Sequence, residues 1–177
     1  MTRCGKRLLF RARDERGFGL IELLAAMTVL AVGILALFAM FESGIRHLKR
    51  ASTVTTAGAV ADREMENFRA IKYAAIGLPE SLLPTTAPYT TDTAYQASSA
   101  NRVGLVACGT EPCTNEVPTQ TVTGADGDSY RVDTYVTWQT VAAGRQVKLV
   151  TIVVRDADDV SKVWARAASA FDRSTGE

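Results

Sequence analysis

The sequence predicts an α+β protein in which a long N-terminal helix packs its second half on a C-terminal antiparallel sheet. Three observations predict it. Residues 18–41 form an unbroken apolar run with a single charge, Glu22, and no proline. Residues 42–76 change to an amphipathic pattern of helical period. Beyond residue 128 the period drops to two, the signature of strands. At 177 residues, 47% hydrophobic and 22% charged, the composition is that of a chain able to build one core.

The net charge of +1 offers no global argument for nucleic acid, and it averages two unlike parts. Residues 1–17 hold six basic side chains (Arg3, Lys6, Arg7, Arg11, Arg13, Arg16) against Asp14 and Glu15. That leaves the body with 14 of the 20 basic and 17 of the 19 acidic residues. A basic head therefore precedes a mildly acidic body.

As a helix, residues 18–41 extend about 36 Å at 1.5 Å per residue, enough to cross a hydrocarbon core about 30 Å thick. A core helix of a soluble domain would show a polar stripe within this length, and none is present. Six cations precede the span; Arg46, Lys49, Arg50 and Arg63 follow it. The bias places the N-terminus in the cytoplasm and everything after about residue 42 outside. A removable secretory signal has an apolar region of about 7–15 residues and a small-residue cleavage site. The run here is longer, and Glu42-Ser43-Gly44-Ile45-Arg46 follows it. Glu22 stands out, because a carboxylate at mid-bilayer costs roughly 2.5–3.5 kcal/mol. Spacing alone leaves two readings open: an interfacial side chain reaching for headgroups, or a carboxylate awaiting a cation in an assembled state.

The segment Arg16-Gly17-Phe18-Gly19-Leu20-Ile21-Glu22-Leu23-Leu24, behind a basic leader and ahead of an apolar helix, resembles the class III signal of type IV prepilins and pseudopilins. The resemblance implies cleavage after Gly17 by a prepilin peptidase/methyltransferase, with Phe18 as the N-methylated first residue. It also implies that Glu22 sets axial register by pairing with a neighbouring subunit's terminal amine. Gly19 stands where Thr or Ser is usual in the family. Through about residue 76, including Ala61-Asp62-Arg63-Glu64-Met65, the pattern is similar to minor pilins of the pilus-modification type. The first proline is Pro79, so the helix lacks the internal proline that kinks many major pilins.

Residues 42–76 carry Ala57, Ala61, Met65, Phe68, Ile71 and Ala75 at steps of three and four, opposite Asp62, Arg63, Glu66, Asn67 and Arg69. No breaker separates this stretch from the apolar run, so the two read as one helix. Gly44 and Gly58 weaken it locally by up to ~1 kcal/mol each, and a bend near 52–56 is expected. Gly77, Pro79, Pro84 and Pro88 end it and open an irregular region, 77–127, with short strands at 103–107 and 117–123.

Residues 128–177 then read as a meander and tail. Tyr130, Val132, Thr134, Val136 and Trp138 alternate with Arg131, Asp133, Tyr135 and Thr137, predicting a half-buried strand. Residues 147–154 are apolar almost throughout and predict a central strand. A third strand, 160–168, is expected to place Val163, Ala165 and Ala167 on one face and Trp164 on the other.

Cys108 and Cys113 bracket four residues that include Gly109 and Pro112. In an exported domain a disulfide is the expected chemistry, contributing on the order of 2 kcal/mol by loop closure. A metal site would need a His or a second Cys pair nearby. Cys4 lies in the leader. Asp126-Gly127-Asp128 and Asp156-Ala157-Asp158-Asp159 lack the spacing of a full calcium loop and read as turns. His47, beside Arg46 and Lys49, reads as part of an interfacial basic cluster. No phosphate loop, catalytic triad or Cys/His cluster is present, so no enzyme, cofactor or metal is expected.

The functional expectation is a structural minor subunit of a type IV pilus-like filament, held in the inner membrane before assembly. Its partners are the peptidase, other pilin subunits through helix–helix packing, and membrane lipid; no specific nucleic acid is expected. A minor pseudopilin of a type II secretion or DNA-uptake system would share every residue named. A single-pass anchored protein with an exported binding domain is the alternative of another class.

Overall fold

In the computed structural model the described residues are 19–105, 117–141 and 144–173. The chain divides into two units, Met1–Arg46 and His47–Glu177, and the boundary falls inside one helix. That helix, α1, runs Leu20–Ala70. Among the described residues six strands follow: β1 (Leu78–Pro79), β2 (Gly104–Leu105), β3 (Thr119–Thr123), β4 (Ser129–Thr140), β5 (Gln146–Asp156) and β6 (Val163–Phe171). β1 and β2 form a small parallel pair; β3-β4-β5-β6 form an antiparallel sheet in sequence order. This is the α+β layout expected from the residue patterns.

The second half of α1 buries Thr53, Ala57, Val60, Ala61, Glu64, Met65 and Phe68. Against them lie Val132 and Val136 of β4 with Val150, Ile152 and Val154 of β5, all at most 3% exposed. The register sets these strand residues directly opposite one another: Val132 to Val154, Thr134 to Ile152, Val136 to Val150. Side chains that alternate along a strand share a face with their cross-strand partners, so this is one apolar wall.

α1 ends at Ala70, short of the Gly77 boundary expected from composition. Lys72 is extended (ψ 145°), and a short 3-10 turn at Tyr73–Ala75 follows. Lys148, from β5, donates to the carbonyls of Tyr73 and Ile76, each at 2.7 Å. A side chain 75 residues away thus satisfies the carbonyls of the turn. No local signal could announce it.

β4 is buried on both faces at its centre, not half-buried: Val132, Asp133, Thr134, Tyr135 and Val136 are all inaccessible. The irregular region supplies the second cover. Tyr89 is buried together with Tyr135 and Val153, and Leu83, Ala94 and Tyr95 pack around them. Segment 83–95 is therefore a strap over the face that alternation alone assigns to solvent.

β6 also departs from simple alternation. Val154 pairs with Ala165 and Arg155 with Val163, so Trp164 is the extra residue of a β-bulge. The bulge brings Trp164 onto the helix side with Ala165 and Ala167, while Val163 takes the opposite face. The expected assignment of Val163 and Trp164 is thereby reversed. Gly124, in the β3–β4 turn, leaves no room for a side chain: an added Cβ would lie 2.5 Å from Tyr130 and 2.6 Å from Thr56.

Candidate functional site: the first turns of the apolar helix and the paired face of the head

The helix begins on Gly19. Its carbonyl accepts from Glu22 N (2.9 Å) and Leu23 N (3.1 Å), closing the first turn. Glu22 lies in that turn, exposed, where the positive end of the helix dipole favours an anion. From Leu20 to Phe41 the surface is otherwise apolar; Ile21 is 82% and Phe38 67% exposed. Thr28 turns its hydroxyl back to the Ala25 carbonyl at 2.8 Å, which hides its one polar group. Among the described residues, this is the one helix long and apolar enough to cross a membrane. Gly17 and Phe18, the residues expected to flank the cut, lie outside the described residues, as do Cys4, Cys108 and Cys113.

A lone carboxylate at the head of an apolar cylinder does one kind of chemistry well. Surrounded by hydrocarbon it strongly prefers a cation to any slipped alternative, because an unpaired buried charge is expensive. Among the described residues no basic side chain reaches Glu22. The nearest pairing on this helix is Arg46 with Glu42, one turn apart.

The head holds a second set of charged groups that the sequence patterns did not single out. On the strap face, Asp133 is fully buried and accepts from Arg131 Nε (2.9 Å), Thr119 Oγ1 (2.9 Å) and Arg155 Nε (3.1 Å). Arg155 also pairs with Asp92 of the strap and donates to the Val160 carbonyl. Asp92 in turn accepts from Arg166 at 2.9 Å through both oxygens. Tyr89 and Tyr135 stack at 4.4 Å. Tyr89 donates to the Thr134 carbonyl (2.8 Å) and Tyr135 to the Tyr89 carbonyl (3.0 Å). Burial raises both phenols well above the ordinary tyrosine range. The available signal was charged residues, Asp133 and Arg155, set inside otherwise apolar strands.

These groups are mutually satisfied, and they fasten the strap. An open groove of about 500 Å³ beside them, between Pro88 and Arg166, has Arg155 and Arg166 in its wall, both already paired with Asp92. On the helix face Glu64, 5% exposed, accepts from Gln120 Nε2 at 2.9 Å and so ties β3 to α1.

The aspartate turns do turn chemistry. Asp156 Oδ1 accepts from the backbone N–H groups of Asp158 (2.9 Å) and Asp159 (3.2 Å), which hold its carboxyl below the usual range. Asp126 bonds the Tyr130 hydroxyl and the Asp128 N–H, with the same effect, around Gly127 at φ +82°. Among the described residues no three His, Cys, Asp or Glu converge as a metal set. His47 is exposed on α1.

Compared with known protein families, residues 12–38 match the model of the prokaryotic N-terminal methylation motif. The match spans the five residues before Gly17, the Gly17–Phe18 junction, Glu22 and most of the apolar run. No curated protein and no solved structure matches the chain. With the apolar helix and the four-stranded antiparallel sheet, the motif supports a type IV pilin-like layout.

Proposed function

We propose that the chain is a structural minor subunit of a type IV pilus-like filament. A prepilin peptidase cuts it after Gly17 and Phe18 is N-methylated. The subunit waits in the inner membrane with its N-terminus cytoplasmic and its head outside, then enters the filament through residues 18–41.

The observation that carries this reading is the match of the methylation motif to residues 12–38, with Glu22 alone and exposed in the first turn of an otherwise apolar helix. Cleavage creates a positive amine at Phe18. In a bundle of such helices, Glu22 of one subunit pairs with the amine of a neighbour. Leaving one partner unpaired in an apolar bundle costs several kcal/mol, so the pair selects one axial register over slipped ones. Among the described residues of the head, the charged groups fasten its own strap. A disulfide between Cys108 and Cys113 belongs to the same reading, as a staple in the irregular region of an exported head.

Two measurements test the reading. Intact-mass and N-terminal analysis of the protein from its host should give a chain beginning at methylated Phe18. A mature chain that retains residues 1–17 would sink the proposal and leave an anchored exported domain. Second, Glu22→Ala should be processed normally yet fail to enter filaments. Normal incorporation of that variant would remove the registering role.

A further inference from the structure

Between the apolar run and the first buried residue of the head, Thr53, α1 passes through a stretch with its own character. Residues 42–52 are exposed throughout. Ile45 and Leu48 are 66% and 71% exposed and continue the line of Phe41 at helical spacing. Arg46, His47, Lys49 and Arg50 occupy the rest of the circumference. Arg46 is paired with Glu42; the next acidic residue along the chain is Asp62. Among the described residues no carboxylate pairs with His47, Lys49 or Arg50.

We propose that this collar docks on anionic phospholipid headgroups, with Lys49, Arg50 and His47 against lipid phosphates. The inference rests on residues 18–41 crossing a bilayer. Cations immediately beyond a membrane-spanning helix are drawn to anionic lipid surfaces. Helical side chains lean toward the N-terminus, so the Lys49 ammonium reaches back toward the headgroup layer. Cations on the far side of a span run against the usual bias, and a lipid role accounts for them.

The test uses the full chain in lipid nanodiscs made either of phosphatidylcholine alone or of equal parts phosphatidylcholine and phosphatidylglycerol. The acetylation rate of Lys49 is read by mass spectrometry against Lys72, an exposed lysine of the head. Lys49 should react about fivefold more slowly in the anionic discs, and high salt should abolish the difference. A double variant, His47→Gln with Arg50→Gln, should shrink the effect without touching a buried residue. Equal Lys49:Lys72 ratios in the two discs overturn the proposal, as does equal slowing in both, which would mean that another surface covers the collar. The N-terminal mass of protein from the host is read separately. A chain processed at Phe18 but indifferent to lipid sinks only the docking; an unprocessed chain with lipid-dependent Lys49 sinks only the filament reading.

Discussion

The two faces of the β3–β6 sheet are covered by different means. A regular helix covers one, and the contact is carbon on carbon: Phe68, Met65 and Ala61 against Val132, Val150 and Ile152. An irregular strap covers the other, and its contact runs through tyrosine hydroxyls, an aspartate fully out of water and three arginines. A helix satisfies its own backbone polar groups and needs to bring only an apolar stripe. A strap cannot, so its carbonyls must find donors elsewhere.

The largest effect should come from emptying the apolar face. Phe68→Ala, at 0% exposure, should destabilise the head by about 3–5 kcal/mol in denaturant unfolding of the detergent-solubilised chain. A loss under about 1 kcal/mol would mean that the helix contact is not the main support. Next is Asp133→Ala, which leaves Arg155 and Arg131 buried or half-buried without their shared partner. About 3 kcal/mol is expected, with proteolysis appearing first within 83–95 as the strap loosens.

Lys148→Met keeps the aliphatic stem but strands two carbonyls, those of Tyr73 and Ile76, and removes a cation 4.6 Å from the Tyr73 ring. A loss of about 1–3 kcal/mol is expected. Faster amide exchange should follow around 72–76, with the strap unaffected.

The smallest effect is the most diagnostic. Tyr89→Phe and Tyr135→Phe should each cost about 1 kcal/mol near neutrality. Folding raises the pKa of both phenols above the unfolded value of 10.0. Their contribution is therefore complete below about pH 10 and is lost as pH rises further, because the unfolded chain gives up those protons first. Stability of the wild-type head should fall above pH 10. The double phenylalanine variant should fall less steeply, read by unfolding midpoint against pH. Parallel curves would show that the strap is not held through its hydroxyls.

These contrasts also explain what the sequence made legible. Helix and sheet were visible because their causes are local: an uninterrupted apolar run from Phe18 to Phe41, Ala57-Ala61-Met65-Phe68 at helical spacing, and alternation from Tyr130 to Trp138. Glu22 was legible for a similar reason, as one charge in a run that tolerates none. The strap was not, since Tyr89 meets its acceptor 45 residues away and Asp92 its arginine 63 residues away. The bulge at Trp164 was hidden too. It belongs to the pairing of β6 with Val154 and Arg155, and a single-strand pattern holds no trace of it. The burial of Glu64 had no local signal either, because its partner, Gln120, lies 56 residues on.

Lys148, Tyr89, Tyr135 and Arg102 all donate to main-chain carbonyls: of Tyr73 and Ile76, of Thr134, of Tyr89, and of Gln96 and Ala97. A carbonyl is the same whichever side chain its residue bears. Thr134 aside, these acceptors lie in irregular segments, whose exposed side chains are therefore free to change while the backbone remains fastened, provided the four donors persist. Substitution at Gln96 or Ala97 meets a hydrogen-bond constraint only on backbone position. A head built this way can vary its outer surface extensively without renegotiating the bonds that hold it closed.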